Sequence, residues 1–308
     1  MAYTADQLIT DARNYATLPT YDEGADARLL RLLNTEQWTY LTQQLERTRE
    51  EYRTSTLSMT VVSGQTTYAL PPRAVAAGLK MIQAVDTAGN RWGMWELRPQ
   101  DWTTNGIWTS PCRRFYIYGN FINFYADPPA GTLLLTYPLR LSELVLSTDT
   151  TNVRTISTIN TGTKTLTLSG VFTNASGICD LVRANPHFDI LGMDSSFSGS
   201  GTSTLVFTDE LPTGLAVGDY VCTPGKSPVC QAPLELHSLL AQHVAWVTLM
   251  AKGDPKATAA QMLRDDTAKR VLTLLEPRPQ RQRSIINRSA PGWVGPWGGW
   301  WPYRGGGI

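Results

Sequence analysis

The residue types that bind metals or act as nucleophiles are few in this sequence and are poorly spaced for either task. Its three histidines are His187, His237 and His243, and its four cysteines are Cys112, Cys179, Cys222 and Cys230. No two cysteines form a C-x-x-C pair, and His237 and His243 do not have the i, i+4 spacing that places two ligands on one helical face. We therefore expect free thiols in a reducing compartment, with no bound metal and no cofactor.

Two adjacent carboxylate pairs are the remaining groups with possible acid-base chemistry, since glycoside hydrolysis uses two carboxyl groups. Asp209-Glu210 falls in a predicted turn, and Asp265-Asp266 falls on a predicted helix beside basic residues, where charge pairing explains it. The sequence has no nucleotide-binding Gly-rich loop in front of a predicted helix, no G-x-S-x-G motif of serine nucleophiles and no H-E-x-x-H motif of zinc proteases. We therefore expect no enzymatic activity, and a hydrolase is the least favoured alternative.

Length and composition describe a chain that can bury a sizeable core. It has 308 residues, of which 42% are hydrophobic and 17% charged, and its formal net charge is +1. This balance gives no global attraction to nucleic acid or to an anionic membrane. Neither a secretory signal nor a long apolar stretch is visible, so we expect no membrane partner. The length predicts one body with an accessory domain.

The first part of the chain predicts two helices followed by strands. Residues 4–17 and 22–52 keep an i, i+3/i+4 apolar rhythm, and the second helix becomes polar over residues 43–53, a stretch that is either solvated or faces a neighbouring subunit. From Thr56 the period changes to two. The runs on either side of Ser63-Gly64 predict a hairpin, and the aromatic runs on either side of Gly119-Asn120 predict another.

The remaining segments complete a predicted α+β fold: a helical bundle with an antiparallel β-sheet. Residues 1–141 form the main body in this interpretation, and residues 230–276 complete it as a helical hairpin that starts at Pro233. Residues 142–229 are rich in Thr, Ser and Gly and predict a small all-β module inserted into the body. Residues 277–308 predict an extended tail.

The tail combines basic and aromatic residues with many Gly and Pro residues. It holds four of the ten tryptophans and contains no Asp or Glu. Such a segment cannot bury its indoles by itself, and exposed apolar area is unfavourable, so we expect it to bind a partner. The candidate binding residues are Arg278, Arg281, Arg283, Arg288, Trp293, Trp297, Trp300, Trp301 and Tyr303. The arginines could instead contact DNA.

Several features follow one another in a characteristic order. They are a Y-x-L-P motif at Tyr68–Pro71, an aromatic hairpin from Pro111 to Pro129, a strand ending at Tyr137-Pro138, and a closing helical hairpin that turns at Gly253-Asp254. With two helices in front, this order resembles the head-to-tail adaptors of tailed bacteriophages. The resemblance covers residues 1–140 and 230–277, and departs from the family pattern at 142–226, where simpler members have a short connection.

The resemblance implies a structural virion protein made in the host bacterial cytoplasm. Such adaptors form a ring, commonly dodecameric, in the neck between the portal and the tail. The implied partners are the portal protein, the downstream tail or nozzle protein, further copies of the chain, and double-stranded DNA that passes through without sequence specificity. The tail residues named above would bind the portal. The alternative is a carbohydrate- or receptor-binding tail protein that uses the inserted module, or, less favoured, a peptidoglycan hydrolase.

Overall fold

The structure is a computed structural model that describes residues 4–18, 23–48, 54–75, 78–97, 114–184 and 190–275. These residues belong to one unit that ends at Leu275, and residues 276–308 form a second unit outside the described ranges.

Five helices pack around one apolar core. They are α1 (Ala5–Tyr15), α2 (Glu23–Glu36), α3 (Thr42–Thr48), α4 (Glu235–Lys252) and α5 (Ala257–Leu275), with a π-helical segment at Gln37–Leu41 joining α2 to α3. Thr4 and Gln7 form a capping box at the start of α1, and Gly253 ends α4 in the left-handed conformation. The core contains fully buried leucines from four of the helices and from the π-helical segment. The π-helical segment divides the single helix predicted over residues 22–52.

A seven-stranded sheet follows the first three helices. Its strands are β1 (Thr54–Thr60), β2 (Thr67–Ala69), β3 (Met81–Asp86), β4 (Arg91–Glu96), β5 (Arg114–Tyr118), β6 (Phe121–Phe124) and β7 (Gly131–Pro138). They are ordered β1-β7-β3-β4-β5-β6-β2, and β4 and β5 pair in parallel, whereas the other neighbours are antiparallel. The aromatic hairpin around Gly119-Asn120 is present as β5 and β6, in which Tyr118 lies opposite Phe121.

The hairpin predicted around Ser63-Gly64 is wrong. Strands β1 and β2 lie at opposite edges of the sheet, with β1 paired to β7 and β2 paired to β6. The reason is that long-range pairing places Met59 opposite Leu133, while Tyr68 on β2 packs against the aromatic β6. These apolar cross-strand contacts outweigh a local turn signal.

A closed six-stranded barrel, the barrel from here on, occupies residues 153–222. Its strands are β9 (Val153–Asn160), β10 (Thr165–Phe172), β11 (Ile178–Val182), β12 (Ile190–Ser198), β13 (Thr202–Phe207) and β14 (Tyr220–Cys222), in the order β10-β13-β12-β11-β14-β9. Every pair is antiparallel. Phe172, Phe197 and Phe207 meet in its own apolar core. Closure removes the unpaired edges that an open sheet of these strands would expose.

Two short strands join the barrel to the helices. Strand β8 (Glu143–Leu144) pairs in parallel with β15 (Lys226–Ser227), and we call this pair the stalk. Leu144 belongs to the helical core, as does Cys230 just after the stalk. The stalk is therefore packed with the helices although it falls within the predicted module of residues 142–229, and those module boundaries stay a prediction.

Candidate interaction sites

The predicted partner-binding residues lie outside the described residues. This holds for Arg278, Arg281, Arg283, Arg288, Trp293, Trp297, Trp300, Trp301 and Tyr303. The sites that the structure does describe are the contacts through which the Y-x-L-P segment, the helices and the barrel hold one another.

Tyr68 anchors the Y-x-L-P segment in the core of the sheet. Its ring is 3% exposed and packs edge-on against Phe124, with 5.8 Å between the ring centroids. The backbone N–H of Val62 donates to its hydroxyl oxygen at 3.1 Å. One side chain thus fixes both β2 and the segment that leads into it.

The rest of the segment reaches the aromatic hairpin and the barrel. The Leu70 N–H donates to the carbonyl of Asn120 at 2.9 Å, in the turn between β5 and β6. Arg73 then donates from Nη2 to Asp180 at 3.0 Å and to Asp194 at 3.0 Å, and both aspartates belong to the barrel. We call this contact the charged joint. It connects the segment after the Y-x-L-P motif to the barrel through Arg73, which lies two residues beyond Pro71.

Asp180 is the unusual member of the charged joint because it is fully buried. Burial raises the pKa of this carboxyl group, and the nearby Arg73 charge and backbone N–H donors act in the opposite direction. Two of these donors are the N–H groups of Asp194 and Gly225. A buried carboxylate that accepts several hydrogen bonds depends on every one of them, so we assign the charged joint a positioning role.

A second contact joins the helices to the stalk through neutral amides, and we call it the amide joint. The side chain of Asn34 donates to the Leu144 carbonyl at 2.9 Å and accepts from the Leu144 N–H at 2.6 Å. Gln37, in the π-helical segment, donates to Asn34 and to the Ser142 carbonyl. Gln231 accepts from the Ser142 N–H at 3.1 Å. The amide side chains therefore satisfy backbone groups that the short parallel pair leaves open.

The π-helical segment also positions a stacked histidine. His243 on α4 lies face to face with Tyr40, with 3.8 Å between ring centroids, and its Nε2 is 3.0 Å from Glu36. Burial lowers the pKa of His243, partly offset by Glu36. Next to it, the Arg264 guanidinium lies 4.2 Å from the centre of the Trp246 ring. This arrangement packs α2, α4 and α5 together.

The acidic pair on α5 and the Cys230 thiol, two of the groups considered for chemistry, are in structural positions. Asp265 and Asp266 form ion pairs with Arg264 and Arg270, as the charge-pairing interpretation predicts. Burial raises the pKa of Cys230 to about 12, which disfavours the thiolate. Within the described ranges, which leave out His187 and Cys112, no group of His, Cys, Asp and Glu residues could hold a metal ion. No described helix has the length and apolar character needed to cross a membrane.

Sequence reasoning missed both joints, although the charged joint has a signal in the sequence. Asp180 is the one charged residue in the apolar run Ile178–Val182, and a lone carboxylate in a buried strand requires a partner. Arg73 directly follows two prolines.

The polar stretch at 43–53 is described in part: Gln43 is exposed, Gln44 is buried, and residues 49–53 lie outside the described residues.

Comparison with protein families gives one match. The family model described as SU10 adaptor protein matches residues 3–172, which is more than half of the chain. The matched region includes α1 to α3, the sheet, β8 and the first two strands of the barrel, whereas α4 and α5 lie outside it. It therefore continues past residue 140, the end of the first range of the resemblance by motif, and does not include the second range, residues 230–277. No curated protein matches the chain.

Proposed function

The chain belongs to the SU10 adaptor protein family, and we propose that it is a head-to-tail adaptor that forms a dodecameric ring beneath the portal. Family membership makes it a structural protein of the phage virion. In our proposal the ring lies at the neck, receives the next tail or nozzle protein on its other side, and continues the channel through which DNA leaves the head.

The observation that carries this proposal is the extent of the family match. It covers the N-terminal helices, the whole sheet and the first two strands of the barrel, which together are more than half of the chain. The two joints support the proposal further. A subunit that transmits contacts from one partner to another benefits from fixed internal geometry, and the charged and amide joints hold the barrel to both the sheet and the helices.

We propose that residues 277–308 bind the portal. The tryptophans of this segment would supply apolar anchoring, as Trp residues commonly do at interface hot spots, and the arginines would add polar contacts. The rival is that the arginines contact channel DNA. The two differ in salt dependence, because phosphate contacts weaken steeply with ionic strength and apolar burial does not.

The test uses three variants and purified, DNA-free portal. One is truncated after Glu276, one carries Trp297→Ala, Trp300→Ala and Trp301→Ala, and one carries Arg278→Gln, Arg281→Gln and Arg283→Gln as the matched control. We expect the first two to lose portal docking at moderate salt and the arginine variant to retain most of it. Unchanged docking of the truncated chain or of the tryptophan variant would show that residues 277–308 do not anchor the chain to the portal.

One observation favours the second candidate, carbohydrate or receptor binding by the barrel. Thr158, Thr167 and Thr204 lie side by side on neighbouring strands β9, β10 and β13, on the face opposite the apolar core. Such an uncharged row of hydroxyl groups could accept and donate hydrogen bonds to sugars. Binding of the isolated chain to host-surface glycans, lost on Thr167→Val, would support this function over the adaptor ring.

A further inference from the structure

Two grooves, the first mainly apolar and the second mixed, lie beside the last turns of α4, at the end of the bundle where α4 turns into α5. The first, of about 260 Å³, lies against α1 and α5, and its walls include Ala245, Leu249 and Ala260. The second, of about 300 Å³, lies against α2, and its walls include Leu18 and Leu29. We call the two grooves together the helix-end surface.

Large apolar side chains remain exposed at the helix-end surface. Tyr15 is 40% exposed and Leu263 is 47% exposed, and both line the first groove. These exposed side chains favour a ligand that brings an apolar face to the groove.

Cations are among the described residues that line both grooves of the helix-end surface. Of the described residues that line the two grooves, three are charged, and all of them are cations: Arg28, Lys252 and Lys256. Lys252 and Lys256 stand on either side of the α4–α5 turn. A ligand with acidic groups beside its apolar face would be complementary to this rim.

Lys256 is held in place by a strained residue. Thr17 has a φ of 50°, a left-handed conformation that β-branched residues rarely adopt, at the position after α1 where glycine is usual. Its Oγ1 accepts a hydrogen bond from Lys256 Nζ at 3.2 Å. A glycine would relieve the strain and would lose this contact, so the threonine orients the lysine at the mouth of the groove.

We propose that the helix-end surface binds an acidic amphipathic helix of a partner protein. Grooves between helices accept a further helix through an apolar stripe, and the three cations would pair with carboxylates beside that stripe. DNA is a poorer occupant because the three cations are few and the rest of the concave lining is mostly apolar, which suits a protein side chain better than a phosphate backbone. The proposal rests on the proposed function only for the expectation that this partner is another virion protein, and it does not involve the tail.

The test measures peptide binding to the full-length chain by fluorescence anisotropy. The probe is a labelled helical peptide of about four turns with a leucine stripe and glutamate elsewhere, and the control peptide carries lysine in place of glutamate. A DNA duplex of similar length is the third ligand. We expect the acidic peptide to bind at least about tenfold more tightly than the basic one, and the duplex to bind weakly.

Two charge-reversed variants locate the site. Lys252→Glu with Lys256→Glu should weaken the acidic peptide about tenfold or more, whereas Lys269→Glu with Arg270→Glu, which makes the same charge change elsewhere on exposed positions of α5, should leave its affinity within about twofold. Leu263→Ser should weaken it several-fold without changing charge. Circular dichroism confirms that each variant is folded.

Three results would overturn the proposal. They are absence of acidic-peptide binding to the wild-type chain, equal loss in both charge-reversed variants, and preferential binding of the duplex that is lost in Lys252→Glu with Lys256→Glu. The last result would assign the surface to DNA. Failure of ring formation on the portal, with peptide binding intact, would instead contradict the proposed function alone.

Discussion

The charged joint and the amide joint attach the same barrel to the body by opposite electrostatic means. At the charged joint, Arg73 compensates the charge of the fully buried Asp180. The free energy lost when both groups are desolvated offsets much of the free energy gained from their attraction. At the amide joint, Asn34 and Gln37 satisfy backbone groups without any net charge. The stability of the two joints should therefore respond differently to the loss of one partner and to a change in pH.

The largest expected effect is the loss of one partner at the charged joint. Arg73→Met leaves the Asp180 carboxylate buried and uncompensated, which should lower the free energy of unfolding by about 3–5 kcal/mol. Arg73→Met combined with Asp180→Asn removes the buried charge, although the amide oxygen can accept from only one of the Asp194 and Gly225 N–H groups, which donate to different carboxylate oxygens. Urea unfolding should therefore find the double variant more stable than the single one. Equal stabilities would mean that the charge itself is unimportant.

A smaller effect is expected at the amide joint. Asn34→Leu conserves volume but leaves the Leu144 N–H and carbonyl without partners, which should cost about 2–3 kcal/mol. Thr35→Ala, at the exposed neighbouring position, is the control and should change stability by less than about 0.5 kcal/mol. If Asn34→Leu is as mild as the control, water replaces the amide and the joint contributes little.

Lowering the pH should reduce the free energy of unfolding through His237 on α4. The Nε2 of His237 lies 2.9 Å from the carbonyl of Ala232, just beyond the stalk. Burial lowers the pKa of His237 from 6.5 to about 4. As the pH falls, the unfolded chain therefore binds a proton at His237 before the folded chain does. The contribution of His237 to the free energy of unfolding is present above the unfolded pKa and is lost as the pH falls from 6.5 towards 4.

Between pH 7 and pH 5 this histidine should account for about 2 kcal/mol of lost stability. The measurement is urea unfolding of wild type and His237→Gln at both pH values. The difference between the two proteins should shrink or reverse at the lower pH. A constant difference would show that His237 does not titrate on unfolding in this range.

The elements of the fold that could be predicted from the sequence are those determined by residues close together in the chain. Helix α1 and the β5–β6 hairpin were predicted near their actual positions because a capping threonine and a Gly-Asn turn act within a few residues. The pairing of β1 with β7 and the pairing of Arg73 with Asp180 join residues that are far apart in the chain, and nothing within either segment specifies its partner. The π-helical segment was missed for the same reason, since Gln37 and Trp38 bond to the backbone at Ser142 and Leu141.

The smallest effect on the body is expected from removing the barrel as a whole. Val153 and Cys222 are cross-strand partners, and the Thr223 N–H donates to the Asn152 carbonyl at 2.9 Å, so an Asn-Gly turn could join residues 152 and 223. With Arg73→Ser added to avoid an unpaired cation, the helices and the sheet should remain folded, as judged by circular dichroism. A wider deletion of residues 143–226 removes the stalk and should be less stable. Loss of soluble protein in the narrower variant would show that the barrel is part of the core of the body.

Electron microscopy of the full-length chain mixed with its purified, DNA-free portal tests the central claim most directly. The proposed function predicts a dodecameric ring of this protein docked coaxially on one end of the portal, and no such ring in the protein alone. Monomers or closed trimers that leave the portal bare, at concentrations where both proteins are folded, would contradict the adaptor function.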